Sequence, residues 1–202
     1  MNLFEHGLLK YFSKEQLKKI QSIHVGIGGA GGLGSNIAIM LVRSGFKYLE
    51  ILDKDMIEPS NLNRQQYFLN EIGKNKITTL KKRLLAINPQ AYIKTHSVLW
   101  TPQNGLRFFK NCPIIAEAFD GKENKHSFVE FYQDKAKIIV SGNGMAGLNN
   151  KKPLRVKTMG NIYIVGDYTT DASLGNPPLA PRVTMCAAMM AQIILDYALS
   201  TR

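Results

Sequence analysis

Six residues, Gly29-Ala30-Gly31-Gly32-Leu33-Gly34, have the GxGxxG spacing of a loop built to hold phosphate. Glycines let a backbone turn tightly and approach an anion, and a helix that starts on such a loop offers its free N–H groups and positive dipole end. Asp53 lies 19 positions after Gly34, where a carboxylate can accept from a ribose hydroxyl. GxGxxG alone does not separate NAD from ATP. The segment that follows does. From Asp53 to Gln66 the chain is polar, with Asn61, Asn63, Arg64 and Gln65 close together. A dinucleotide dehydrogenase has an ordinary turn at this point. An Arg here can take phosphate oxygens two at a time, and Lys76 can supply a second cation.

These residues need elements to carry them. Ile23 to Gly28 reads as a buried strand entering the glycine loop, and a helix follows with Ile37, Met40, Leu41 and Phe46 near helical spacing, closed by Ser44-Gly45. Tyr48 to Asp53 reads as a second strand that ends on the acid. Strand, turn, helix and strand in this order make a βαβ unit with a parallel pair. Upstream, Ser13-Lys14-Glu15-Gln16 has the pattern of a capping box that opens a helix to about Gln21. Downstream, a helix is expected over Ile72 to Ile87, stopped by Asn88-Pro89. Its Lys81-Lys82-Arg83 run is read as solvated surface. Strands are expected at Ala91 to Val98, Pro113 to Phe119 and Lys137 to Ser141, with a short helix at Gly105 to Lys110 and a longer one at Lys125 to Lys135. A hairpin is expected from Leu154 to Val165 across Gly160. A long loop runs to Pro181, which opens a last apolar helix to about Leu199. The class is α/β: a doubly wound, mostly parallel sheet with a late antiparallel hairpin. Residues 1–202 are expected to form a single domain, with a helical leader at 1–22, a loop and hairpin region at 142–182 and a C-terminal helix at 183–200.

The 202 residues carry 26 Lys and Arg against 15 Asp and Glu, a net charge of +11, with 45% hydrophobic residues. That is enough apolar material for a core and excludes wholesale disorder. The charge admits nucleic acid, an anionic membrane, a polyphosphate or an acidic protein as partner. No nucleic-acid motif is found. Val183 to Leu195 is short for a membrane span and contains Gln192, so neither nucleic acid nor membrane is expected. Cys112 and Cys186 stand 74 positions apart, which argues against a disulfide framework and against a structural zinc site. His6, His24, His96 and His126 have no metal spacing. With no signal-peptide pattern at the start, the expected setting is cytoplasmic.

Several stretches together resemble one family, the ThiF/MoeB/HesA adenylyltransferases related to ubiquitin-activating enzymes. They are GAGGLGS (29–35), LDKD (52–55), SNLNRQQYF (60–68), IGKNK (72–76), INP (87–89) and EAFD (117–120). SGNGMAG (141–147), IVGD (164–167) and APRV (180–183) are similar to its short members in thiamine biosynthesis. The likeness runs from about Tyr11 to Tyr197. It implies a Rossmann-like fold that binds ATP and Mg²⁺ and adenylates the C-terminal Gly-Gly carboxylate of a ubiquitin-like sulfur carrier protein, with loss of pyrophosphate. It also implies a homodimer. Carried over by motif, Gly29, Gly31, Gly32 and Gly34 form the phosphate loop and Asp53 holds the ribose. Asn61, Arg64 and Lys76 hold phosphates, with Gln65 in support and Asp55 in the binding set. Arg64, Lys76 and Asp120 are the catalytic set, and Asp120 is the Mg²⁺ ligand. Without the preceding Glu117-Ala118-Phe119, Asp120-Gly121 reads as an ordinary turn.

The chain also departs from the pattern. Larger members have an N-terminal Arg that reaches phosphate across a dimer. Here the first Arg is Arg43, so that role is absent or falls to Lys10, Lys14 or another residue. The paired CxxC zinc motifs are missing, and the late loops have no Cys for a persulfide link, so adenylation without an enzyme thiol step is expected. Arg182 has two equal readings, an anion ligand or a local cap. The alternatives are an NAD-dependent oxidoreductase, a catalytically silent or differently specific nucleotide-binding relative, and a tRNA-modifying branch that uses ATP for a dehydration.

Overall fold

The computed structural model describes residues 1–148, 150–172 and 175–200. Residues 149, 173 and 174 of the expected loop region 142–182, and residues 201 and 202 of the expected single domain, lie outside the described residues.

Thirteen principal elements follow one another: α1 (Leu3–Leu8), α2 (Lys14–Ser22), β1 (His24–Gly28), α3 (Gly32–Arg43), β2 (Tyr48–Leu52), α4 (Lys76–Ile87), β3 (Tyr92–His96), β4 (Ile114–Glu117), α5 (Lys122–Tyr132), β5 (Ile138–Gly142), β6 (Arg155–Met159), β7 (Ile162–Gly166) and α6 (Ala180–Ser200). The strands make one seven-stranded sheet in the order β3-β2-β1-β4-β5-β7-β6. All neighbours pair in parallel except β6 and β7, the antiparallel hairpin turning at Gly160. The sheet is Rossmann-like, with its strand order reversing at β1 and β4, where such sheets open a crevice at their carboxyl ends.

One face of the sheet is covered by α3, α4 and α6, whose buried side chains join Val25, Ile27, Ile51 and Val140 in a single core. The other face is covered by α5 and the 100–112 loop, through Trp100, Phe108, Phe109, Phe128 and Tyr132. Trp100 meets Phe128 edge to face at 5.0 Å between centroids. Gly26 has no side chain because a Cβ there would come within 2.7 Å of the Phe109 ring. Among the described residues α6 is the one helix long and apolar enough to cross a membrane by length and composition. It packs along α3 and buries Val183, Cys186, Ala187, Met190, Ala191, Ile194 and Ala198.

The capping box forms as read: the Ser13 hydroxyl accepts from the Gln16 N–H at 3.1 Å, and the Gln16 side-chain oxygen accepts from the Ser13 N–H at 2.9 Å. Several boundaries move. Helix α4 starts at Lys76 rather than Ile72. Gly73 turns at φ +81°, and Asn75 caps the helix by accepting from the Thr78 N–H. Helix α1 lies in the expected helical leader at 1–22, but as a second helix ahead of the one opened by the capping box. It is held by long-range polar contacts that periodicity does not show: Asn2 to Asn88 at 2.7 Å, and Lys47 to the buried Glu5 at 2.7 Å. Helix α5 begins three residues early, at Lys122, and α6 begins at Ala180, one residue before Pro181 and three before the expected bound at 183.

The late loops are organised by Asp167. Its buried carboxylate accepts from the N–H groups of Thr169 and Thr170, the Thr170 hydroxyl, Asn150 and Arg182. Arg182 also donates to the carbonyls of Asn150 and Lys152, so it ties local structure together. Burial alone would raise the Asp167 pKa. The Thr170 hydroxyl, the two backbone donors and Asn150 outweigh it and hold the carboxyl well below the usual range. The stability this supplies is full above about pH 4, the ordinary Asp value, and is lost as pH falls further. Thermal melts from pH 7 to pH 3 should therefore show a steeper acid loss for the wild type than for Asp167→Asn, and equal slopes would refute this. Arg182→Met should cost about 3 kcal/mol, because it leaves a buried charge unpaired.

Candidate active site

The glycine loop joins β1 to α3 at the reversal point of the sheet. Its backbone is tied down on both sides: the Gly29 N–H donates to the Leu52 carbonyl at 2.8 Å, and the Ala118 N–H donates to the Gly28 carbonyl at 2.8 Å. Two of its glycines are required by the fold. A Cβ on Gly29, at φ +102°, would lie 2.6 Å from the Ala118 carbonyl oxygen, and one on Gly34 would lie 1.9 Å from the Gly29 oxygen. A Cβ on Gly32 would press on Val183 and the Arg64 stem. Gly31 is different, because the one atom its Cβ would approach is the Gln65 side-chain nitrogen at 3.7 Å. Helix α3 begins there with no side-chain cap and no acid in its first turn, so its leading N–H groups stay available beside the cleft.

Asp53 closes the other side. Its Oδ2 accepts from the Ala30 N–H at 2.6 Å and its Oδ1 from the Asp55 N–H at 2.7 Å. Burial raises its pKa, against the pull of these two amides and the Lys76 charge. Lys76 is buried at the start of α4, and its ammonium lies 3.0 Å from the exposed Asp55 carboxylate. Asp120, at the turn after β4, is exposed and makes no hydrogen bond or ion pair among the described residues. One cleft brings together Gly29, Gly31, Asp53, Asp55, Lys76 and Asp120.

The SNLNRQ segment lies behind the loop rather than in this cleft. The Arg64 guanidinium donates to the Ser60 carbonyl at 3.1 Å and the Asn63 Oδ1 at 2.8 Å, with its stem against Gly32. Asn61 is buried, and its Oδ1 accepts from the Glu58 N–H. Gln65 is buried with its Oε1 unpartnered, close to Gly31. The segment also braces the loop, since the Tyr67 hydroxyl donates to the Ala30 carbonyl at 2.8 Å and Asn36 bonds the Arg64 carbonyl.

Sequence reasoning missed Lys54, Leu99, Trp100 and Asn124, which also line the cleft. Lys54 sits inside a recognised motif, so it had a signal. The other three come from connections that no local pattern ties to the site. Lys54 and Lys76 are the cations lining the cleft among the described residues, and Lys10 and Lys14 are not there. Cys112 and Cys186 are buried, and burial pushes each thiol up to about 12. Neither is a thiolate near neutrality.

The ThiF family profile matches residues 5–201. The chain belongs to the ThiF family. It is 29% identical over 152 residues to tRNA threonylcarbamoyladenosine dehydratase 2 of Saccharomyces cerevisiae, covering 73% of this chain and 34% of that protein. It is 32% identical over 128 residues to the adenylyltransferase and sulfurtransferase UBA4 of Eremothecium gossypii, covering 63% of this chain and 29% of that one. The chain thus spans about a third of the length of these curated relatives. The crystal structure of the Escherichia coli tRNA dehydratase TcdA in complex with ATP shares the fold. The TM-score is 0.80 at 20% identity, with 96% of this chain and 91% of that chain covered.

The ThiF-family loop yields a paired test. Gly31→Ala should fold with stability within about 1 kcal/mol of wild type yet lose most of its affinity for ATP. Gly34→Ala should fail to fold. Trp100 is the single tryptophan and lines the cleft, so its fluorescence reports binding. Wild-type ATP affinity in Gly31→Ala would overturn the assignment of Gly31 to the phosphate cradle.

Proposed function

We propose that this chain adenylates the C-terminal glycine carboxylate of a small ubiquitin-like sulfur carrier protein ending in Gly-Gly, releasing pyrophosphate, in thiamine biosynthesis. The observation that carries this reading is the convergence in one cleft of an uncapped helix start with room at Gly31, the Lys76 ammonium, and two carboxylates, Asp53 and Asp120, placed for different roles.

ATP and the carrier are the substrates. A carboxylate oxygen attacks the α-phosphorus, the bond to pyrophosphate breaks, and the products are the acyl-adenylate and pyrophosphate. The demand on the protein is to offset negative charge on the phosphates and to hold the reactants in line. The α3 N–H groups and Lys76 meet the first demand. An ionised carboxylate has about four acceptor sites, and Asp53 commits two to backbone amides, so two remain for ribose hydroxyls. Arg64 rests beside the loop with one terminal nitrogen on its own segment, so in this reading the free end of its guanidinium turns toward the loop to reach phosphate. Asn61 keeps its amide donors, and Gln65 presents an amide beside Gly31. Asp120 is the residue that would hold Mg²⁺, which supplies charge neutralisation on the phosphates. Single-carboxylate attachment suits an ion that keeps several waters. In this reading the chain works as a cytoplasmic homodimer, with no zinc, nucleic acid or membrane required.

A second reading is favoured by the +11 charge and by the relatives named as tRNA dehydratases. It has the same adenylylation acting on a carboxylate borne by tRNA. ATP–pyrophosphate exchange separates the two. Exchange that depends on a Gly-Gly-ending carrier supports the first, and exchange that depends on tRNA alone overturns it. Asp120→Ala should slow the exchange roughly 100-fold or more, and an unchanged rate would remove Asp120 from the site. If the basic surface steers an acidic carrier, raising salt should slow carrier capture more than ATP binding. Equal effects would dismiss steering.

A further inference from the structure

Glu117 is fully buried at the last position of β4, behind the cleft rather than in it. Its Oε1 accepts from the Phe119 N–H at 2.8 Å. Its Oε2 lies 2.5 Å from the Lys125 ammonium and 2.6 Å from the Ser141 hydroxyl. One carboxylate thus gathers three separate pieces: the turn that leads to Asp120, the first turns of α5, and the end of β5. We propose that Glu117 is a positioning residue, which sets the Asp120 turn relative to the glycine loop so that Asp120 can engage metal-bound nucleotide. This rests on the ATP-binding reading above.

Stability is a weak reason for such a group. A buried ion pair is often no better than apolar residues of similar volume, because desolvation offsets the attraction. Geometry is a stronger one. The Phe119 N–H sits one residue before Asp120. The Ala118 N–H is bonded to the Gly28 carbonyl, and the Ala118 carbonyl lies where a Cβ on Gly29 would strike it. The 118–120 turn is therefore clamped from below by Glu117 and from the side by the loop that begins the cradle. Asp120 itself has no bond among the described residues, so its position depends on the backbone that carries it. Loosening the Glu117 clamp frees that backbone without removing a group from the cleft.

The test uses the full chain with Glu117→Gln, Glu117→Asp and Ser141→Ala. ATP affinity is measured by Trp100 fluorescence with and without Mg²⁺, alongside thermal melting and ATP–pyrophosphate exchange. Glu117→Gln matches the shape of the carboxylate but removes its charge and one acceptor, and Lys125 is partly exposed and can turn to solvent. It should bind metal-free ATP within about threefold of wild type. The Mg²⁺ concentration for half-maximal tightening of ATP should rise about tenfold, and kcat should fall more than KM rises. Ser141→Ala loses one hydrogen bond and should move the Mg²⁺ requirement in the same direction by about threefold. It stands in if the Glu117 variants do not fold. Glu117→Asp keeps the charge and should recover part of the wild-type Mg²⁺ response. Folded variants with a wild-type Mg²⁺ requirement would overturn the proposal. A wild-type chain that binds no ATP would instead overturn the nucleotide reading beneath it.

Discussion

At three places along the carboxyl edge of the sheet, a buried acid at a strand end accepts from the backbone N–H two residues ahead. Asp53 after β2 takes the Asp55 N–H, Glu117 at the end of β4 takes the Phe119 N–H, and Asp167 after β7 takes the Thr169 N–H. Glu117 and Asp167 are each ion-paired, with Lys125 and Arg182, and Asp53 feels the charge of Lys76, which is paired with the neighbouring Asp55. The constraint is physical. A parallel strand delivers its last backbone groups into the interior, where they need partners, and the loop that follows has no ladder to supply them. An acid at this position bonds the loop and fixes its exit direction. Its own burial is tolerable because backbone donors and one cation surround it. The cleft inherits its shape from two of these turns, and the late loops inherit theirs from the third.

This arrangement explains what was legible in the sequence. The βαβ unit, the capping box and the hairpin rest on local spacing, and the structure has them within a few residues. Asp53 was legible because its distance from the glycine loop is itself a local pattern. Glu117 and Asp167 were not, since their work depends on Ser141, Lys125, Asn150 and Arg182, partners brought close only by the fold. Arg182 shows the limit clearly. Its type and place at the head of α6 suited an anion ligand or a local cap equally, and the choice turned on where the chain from Asn150 to Lys152 passes. Arg64 shows the reverse case. Its motif is highly specific, yet its guanidinium rests on Ser60 and Asn63 beside the loop rather than in the cleft, because those carbonyl acceptors lie within its own turn.

The placement of acids also sharpens the net charge. Among the described residues Glu5, Asp53, Glu117 and Asp167 are buried, while Lys76 is the one buried cation. Most of the positive charge therefore faces water, where it attracts polyanions and acidic proteins without choosing between them. The sum of charges cannot separate a carrier protein from tRNA. Choice between them has to come from what can bring a carboxylate to the cleft between β1, β2 and β4.

Preorganisation is the consequence that links the fold to chemistry. The Gly29 and Gly34 backbones are locked by contacts that exclude a Cβ, and each strand-end acid is anchored by backbone donors before any ligand arrives. Little of the cleft has to be ordered on binding, which is where such sites gain affinity and where charge stabilisation costs least during reaction. The leading α3 amides and the Asp120 carboxylate are left unsatisfied beside the cleft, and in the proposed reading these are groups that meet the nucleotide. Glu117 and Asp167 are committed to the backbone and to their cations, outside the cleft, whereas Asp53 keeps acceptor sites facing it and Asp120 is not committed at all. That difference separates the acids expected to meet the nucleotide from those that hold the turns in place.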